Sequence, residues 1–109
     1  MNIHTGMLAL TLAATAGCSS AASADTAIAT RWRLVGEAQD DCMNRAVAAI
    51  RHSGFEQGLP PGSQSISGKK GDYTASIRCV SEQRVVFFVT SGPTADTAAS
   101  HLNTLYGNF

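Results

Sequence analysis

Asp72-Tyr73-Thr74-Ala75-Ser76-Ile77-Arg78-Cys79-Val80 decides the reading of this chain. Tyr73, Ala75, Ile77 and Cys79 fall on one side of an extended segment, and Thr74, Ser76 and Arg78 on the other. That period of two is the mark of a half-buried strand. Ser81-Glu82-Gln83-Arg84 is a polar connection of hairpin type. Val85-Val86-Phe87-Phe88-Val89 follows, the most apolar run after the first 24 residues, and reads as a central strand. An alternating strand joined by a short turn to an apolar one predicts an antiparallel sheet.

Upstream of this pair, Gly68-Lys69-Lys70-Gly71 predicts a turn, and Gln64 to Gly68 a short strand. Glu56 to Ser63 holds Gly58, Pro60, Pro61 and Gly62, so it is a stiff loop. Glu37 to Ser53 predicts a helix. Ala38, Cys42, Met43, Ala46, Val47, Ala49 and Ile50 recur at three- and four-residue spacing. Acids open that helix, Arg51 and His52 close it, and Gly54 supplies the stop, with Phe55 placed to pack on the last turn. Ile28 to Val35 alternates as a first strand. Apolar residues are expected to face a core, which places Ile28, Trp32 and Leu34 inward and Arg31 and Arg33 outward.

Downstream, Ser91-Gly92-Pro93-Thr94 is a helix entry. Ala95, Ala98, Ala99, Leu102, Leu105, Tyr106 and Phe109 trace one face of a second helix. The order is β-α-β-β-β-α. The expected fold class is α+β: one small two-layer domain with a mostly antiparallel sheet and both helices on one face.

Residues 1–24 contain no Asp, Glu, Lys or Arg. Met7 to Ala16 is apolar and shorter than the roughly 20 residues that span a bilayer. With Ala22-Ser23-Ala24 as a small-x-small cleavage site, 1–24 reads as a signal peptide and 25–109 as a single exported α+β domain, periplasmic or secreted. The rival is an envelope lipoprotein anchored at Cys18, because Thr15-Ala16-Gly17-Cys18 resembles a bacterial lipobox. No transmembrane span is expected in the mature chain.

The mature domain then keeps Cys42 and Cys79, 37 positions apart. The helix stripe aims Cys42 at the sheet, and the strand alternation puts Cys79 on the inward face. Two independent periodicities therefore predict one disulfide. Zinc is not expected, since two Cys without clustered His fall short of four ligands.

The 109 residues carry 8 Lys+Arg and 8 Asp+Glu, so no net charge draws the chain to nucleic acid. Asp40 and Asp41 are adjacent on a helix and diverge by about 100°, so they suit the helix dipole better than paired catalysis. Gly62 to Lys70 has neither the spacing nor the strand-to-helix context of a phosphate loop. His52 and His101 stand in no catalytic motif, and no cofactor is implied. The expected open sheet face carries Arg31, Arg33 and Arg78, which would suit an unknown protein or an anionic ligand.

Cys42-Met43-Asn44-Arg45-Ala46 to Gly54-Phe55, then Gly71 to Cys79, then Val86-Phe87-Phe88-Val89 to Pro93, resembles a family of small exported bacterial proteins of unknown function. The resemblance implies a secreted one-domain protein and assigns no catalytic residue. The function expected is non-catalytic binding in the cell envelope. The alternatives are the lipoprotein and, from a different class, a small hydrolase using His52 or His101.

The leader makes a direct prediction. Intact-mass analysis of protein exported by a bacterial host is expected to show a free amino terminus at Asp25. A diacylated Cys18 terminus would establish the lipoprotein instead.

Overall fold

The computed structural model describes residues 25–109. The expected signal peptide, residues 1–24, and Cys18 lie outside the described residues. The elements run β1 (Ala27–Leu34), α1 (Gln39–His52), β2 (Ser65–Lys70), β3 (Tyr73–Val80), β4 (Val85–Gly92) and α2 (Ala95–Asn108). A short 3-10 turn, Ser81–Gln83, joins β3 to β4. Arg84 closes that turn with φ 58°, in the left-handed region. The sheet is antiparallel throughout, in the order β1-β4-β3-β2. The first strand therefore pairs with the last.

Both helices lie on one face, α2 over β1 and β4, and α1 over β3 and β2. The dry layer between is built from Phe88, Val86, Ile77, Ala75 and Ile66 of the sheet. Against them pack Ile50, Ala49, Ala46 and Met43 of α1, and Leu102 and Leu105 of α2. Gly68 lets α1 and its C-terminal turn approach β2, since a Cβ there would stand 3.0 Å from both Ile50 and Phe55.

The end of α1 follows the sequence signal. Gly54 takes φ +85°. Its N–H donates to the Arg51 carbonyl, and the Phe55 N–H donates to the Ile50 carbonyl. These two bonds are the Schellman arrangement, which satisfies carbonyls the helix leaves over. It turns the buried Phe55 back onto the core.

Cys42 and Cys79 are joined by a disulfide with a Cα–Cα separation of 6.2 Å, and both are fully buried. Gln39, one turn earlier on α1, reinforces the same junction. Its Nε2 donates to the carbonyls of Cys79 (2.8 Å) and Ser63 (3.0 Å), and its Oε1 accepts the Ser81 N–H (2.9 Å). The start of α1 is thus held to the end of β3 and the turn after it covalently and by two hydrogen bonds, and to the loop before β2 by a third.

One strand departs from expectation. Direct partners in an antiparallel pair share a face. Arg31 is paired with Phe88 and Arg33 with Val86, and both partners are fully buried on the helix side. The two arginines therefore face the helices, while Ile28, Trp32 and Leu34 face away. Arg31 and Arg33 can occupy that side because the end of α2 offers them aromatic surfaces. The Arg31 guanidinium lies 3.5 Å from the Tyr106 ring centroid, and Arg33 lies 4.9 Å from that of Phe109. Cation–π contacts of this kind keep the charge at the rim while the stem covers apolar surface.

Replacing both Cys42 and Cys79 by Ala is expected to cost about 4 kcal/mol of unfolding free energy, from the chain entropy released by opening a loop of this size. Urea unfolding of the two proteins side by side measures it. A loss below about 1 kcal/mol would show that the link adds little to a junction Gln39 already holds.

Candidate binding face

Among the described residues, one face of the four-stranded sheet has no helix over it. The register defines its rows. Trp32 of β1 stands opposite Phe87 of β4, Phe87 opposite Arg78 of β3, and Arg78 opposite Ser65 of β2. The neighbouring row is Leu34, Val85 and Val80, and on the other side Thr30, Val89, Ser76 and Ser67. The face thus splits in two. The β1–β4 half is apolar, and the β3–β2 half is polar.

The apolar half is strongly exposed. Ile28 is 68% exposed, Trp32 62%, Leu34 72% and Phe87 43%. Isolated surface apolar groups are ordinary, but four large ones on two adjacent strands form a contiguous patch. Trp and Phe with Arg at the margin is the composition that interface centres favour. The polar half is ordered by its own hydrogen bonds. Arg78 donates to Gln64 Oε1 (2.6 Å) and Ser65 Oγ (3.2 Å), and Ser67 Oγ bonds Ser76 Oγ (3.1 Å). Arg78 is consequently fixed beside Phe87 with its guanidinium still exposed.

Of the three arginines expected on this face, only Arg78 is there, beside Thr74, Ser76 and the expected alternate members of Val85 to Val89. Arg31 and Arg33 lie on the opposite side, so the three arginines do not converge. Arg31 also donates to Asn103 Oδ1 of α2 (3.3 Å). Arg45 completes the helix-side group, with its guanidinium 4.1 Å from the Phe109 ring centroid. It is ion-paired with Glu37 and donates to the main-chain oxygen of Phe109. The alternation of β1 located two sides, but two arginines on one parity argue that Ile28, Trp32 and Leu34 face the core, which is the reverse of what the register shows. Periodicity alone did not say which side the helices take.

The histidines stand apart in environment. His52 is exposed in the last turn of α1. His101 packs edge-on between Phe55 (5.4 Å between centroids) and Tyr73 (5.0 Å). Desolvation by that packing, and secondarily the charge of Lys70, lower its pKa from the ordinary 6.5. Tyr73 is itself set against the Gly92 backbone, where a Cβ would come within 2.2 Å of its ring. Its hydroxyl bonds Thr94 Oγ1 at 2.9 Å and accepts the Thr94 N–H, and the side-chain bond lowers the phenol pKa. His101 meets Tyr73 through ring edges rather than a hydrogen bond to its hydroxyl, so this group is a packed corner and not a proton relay.

A hollow of about 600 Å³ lies at one end of the sheet, lined in part by Asp25, Asp72, Thr74 and Ser91. It brings two carboxylates near the hydroxyl-bearing Thr26, Thr74 and Ser91, with no His, Lys or Arg in its lining. No group of three or more His, Cys, Asp or Glu that could hold a metal ion occurs among the described residues. No helix among them is long and apolar enough to cross a membrane. Comparison with protein-family models and with curated proteins gave no match.

His101 predicts a pH effect of definite sign. Above pH 6.5 it is neutral folded and unfolded, and its contribution is complete. As the pH falls through 6.5 the unfolded chain takes up the proton first, so stability declines until the lower folded pKa is passed. Thermal unfolding of His101→Gln is expected to fall less steeply between about pH 7 and 5 than that of the parent. Identical slopes would place the pH sensitivity elsewhere.

Proposed function

We propose that this chain is an exported, non-catalytic binding domain that engages a protein partner in the cell envelope through the apolar half of its open sheet face. The observation that carries the reading is the cluster of Ile28, Trp32, Leu34 and Phe87 on that face. The burial of such a patch against a complementary apolar surface yields about 25 cal/mol for each Å² removed from water. Arg78, held beside Phe87, supplies a charged margin that orients an acidic or carbonyl-bearing group of the partner. The buried disulfide fits an oxidising compartment, where export would deliver the chain.

Photo-crosslinking in the native host tests the reading. A benzophenone amino acid at Phe87 is expected to give a discrete heavier adduct, and the same probe at Thr104 on the exposed side of α2 is not. Against the partner so captured, Trp32→Ser is expected to weaken binding about thirtyfold, with the circular dichroism unchanged. Equal labelling from both positions, or none from either, would rule the face out as a binding site.

A further inference from the structure

The two edges of the sheet are treated differently by the chain. The outer edge of β2 is covered. Glu56 exchanges both backbone hydrogen bonds with Lys69 (2.7 and 2.9 Å), and the Gly62 N–H caps the Ser65 carbonyl (2.9 Å). Among the described residues, nothing covers the outer edge of β1 in this way. The Val35 N–H donates to the Arg84 carbonyl, one rung beyond the Leu34–Val85 pair. Backbone groups alternate sides along an antiparallel strand. The odd-numbered residues of β1 therefore bond β4, and Ile28, Thr30, Trp32 and Leu34 direct their N–H and C=O groups outward. Within its 8 residues β1 contains no Pro, Gly or Lys to blunt that edge.

We infer that β1 pairs antiparallel with β1 of a second copy of this chain, about a two-fold axis at Thr30, to give a continuous eight-stranded sheet. Charge selects this register. An axis at Trp32 would put Arg31 opposite Arg33 of the second copy, and an axis at Arg31 would oppose that residue to itself. Like charges directly opposite destabilise a pair. With the axis at Thr30, Arg31 meets Ala29 of the second copy and Arg33 meets Ala27. Asp25 of the second copy then lies diagonal to Arg33, with the opposite charge. Moving the axis to Ala29 also separates the arginines, but it shortens the paired segment to Ala27–Arg31. On the open face the same register sets Ile28 against Trp32 of the second copy, an aliphatic–aromatic pair of the kind that stabilises strand pairing. The two exposed apolar patches become one band across the joined sheet. Edge pairing uses β1 alone, so it stands independently of what the open face binds.

Sedimentation of the full chain tests this. A dimer that dissociates on dilution is expected. Thr30→Pro deletes an outward N–H that the single domain does not use, and it is expected to weaken the dimer at least about tenfold. Thr30→Lys keeps the backbone donor and places two cations on the axis, so its loss of dimer does not depend on a proline being tolerated. Phe87→Ser, on β4 and away from the edge, is expected to leave the dimer intact while removing the proposed partner contact. In a Cys18→Ser background, Thr30→Cys is expected to link two chains spontaneously, because hydrogen-bonded antiparallel partners stand about 5.5 Å apart between Cα atoms. Arg31→Cys and Trp32→Cys are not. A chain that remains monomeric up to about 1 mM, or a dimer abolished by Phe87→Ser and untouched at Thr30, would overturn the inference.

Discussion

The pairing of β1 with β4 fixes the character of both sheet faces. A strand offers two sides, and its register against a neighbour determines which is dry. Phe88 and Val86 are committed to the core by β4, and their partners in β1 are Arg31 and Arg33. A slip of one residue would bring Trp32 inward and would strand both guanidiniums in the open. The observed register instead supplies the arginines with the Tyr106 and Phe109 rings, and it releases Trp32 to the surface. The exposed patch is therefore a consequence of how the rim of the core is finished at the end of α2.

At the other half of the sheet the organising contact is the junction of α1 with β3. The disulfide and the Gln39 side chain lie one helical turn apart and hold the same two elements. Gly68 lets α1 sit close enough for Ile50 and Phe55 to close the layer. A domain of this size buries a modest fraction of its surface, and a covalent tie between its layers offsets that deficit. The two halves of the molecule thus solve the same shortage of core differently, with a crosslink on one side and stacked arginines on the other.

Much of this architecture was legible in the sequence. The order β-α-β-β-β-α, the glycine stop of α1 and the inward aim of Cys42 and Cys79 follow from periodicity, because each of those elements packs by its apolar stripe. The orientation of β1 was not legible, and the reason is physical. Hydrophobic alternation locates a strand and its two sides, but it assigns the core side only if arginine is treated as a surface residue. Here arginine behaves as a planar, partly apolar cover for aromatic rings. The pairing of β1 with β4 was equally hidden, since it joins segments at opposite ends of the fold. The candidate site inherits that uncertainty: Arg78 on the regular hairpin could be placed from its neighbours, whereas Trp32 and Phe87 meet only through the long-range pair.

The strand order carries a consequence in time. β1 is the first of the four strands to leave the ribosome, and its partner β4 is the last. Until residues 85–92 have been made, the sheet cannot close on β1, and α2 has no complete surface to cover. Local hairpins from β2 to β4 can form early, but the closing contact spans most of the domain and pays its chain entropy late. Such a chain resists premature compaction while it is being synthesised. Under the proposed export, in which the chain would be threaded through a membrane in extended form, that delay leaves the final pairing to be made on the far side.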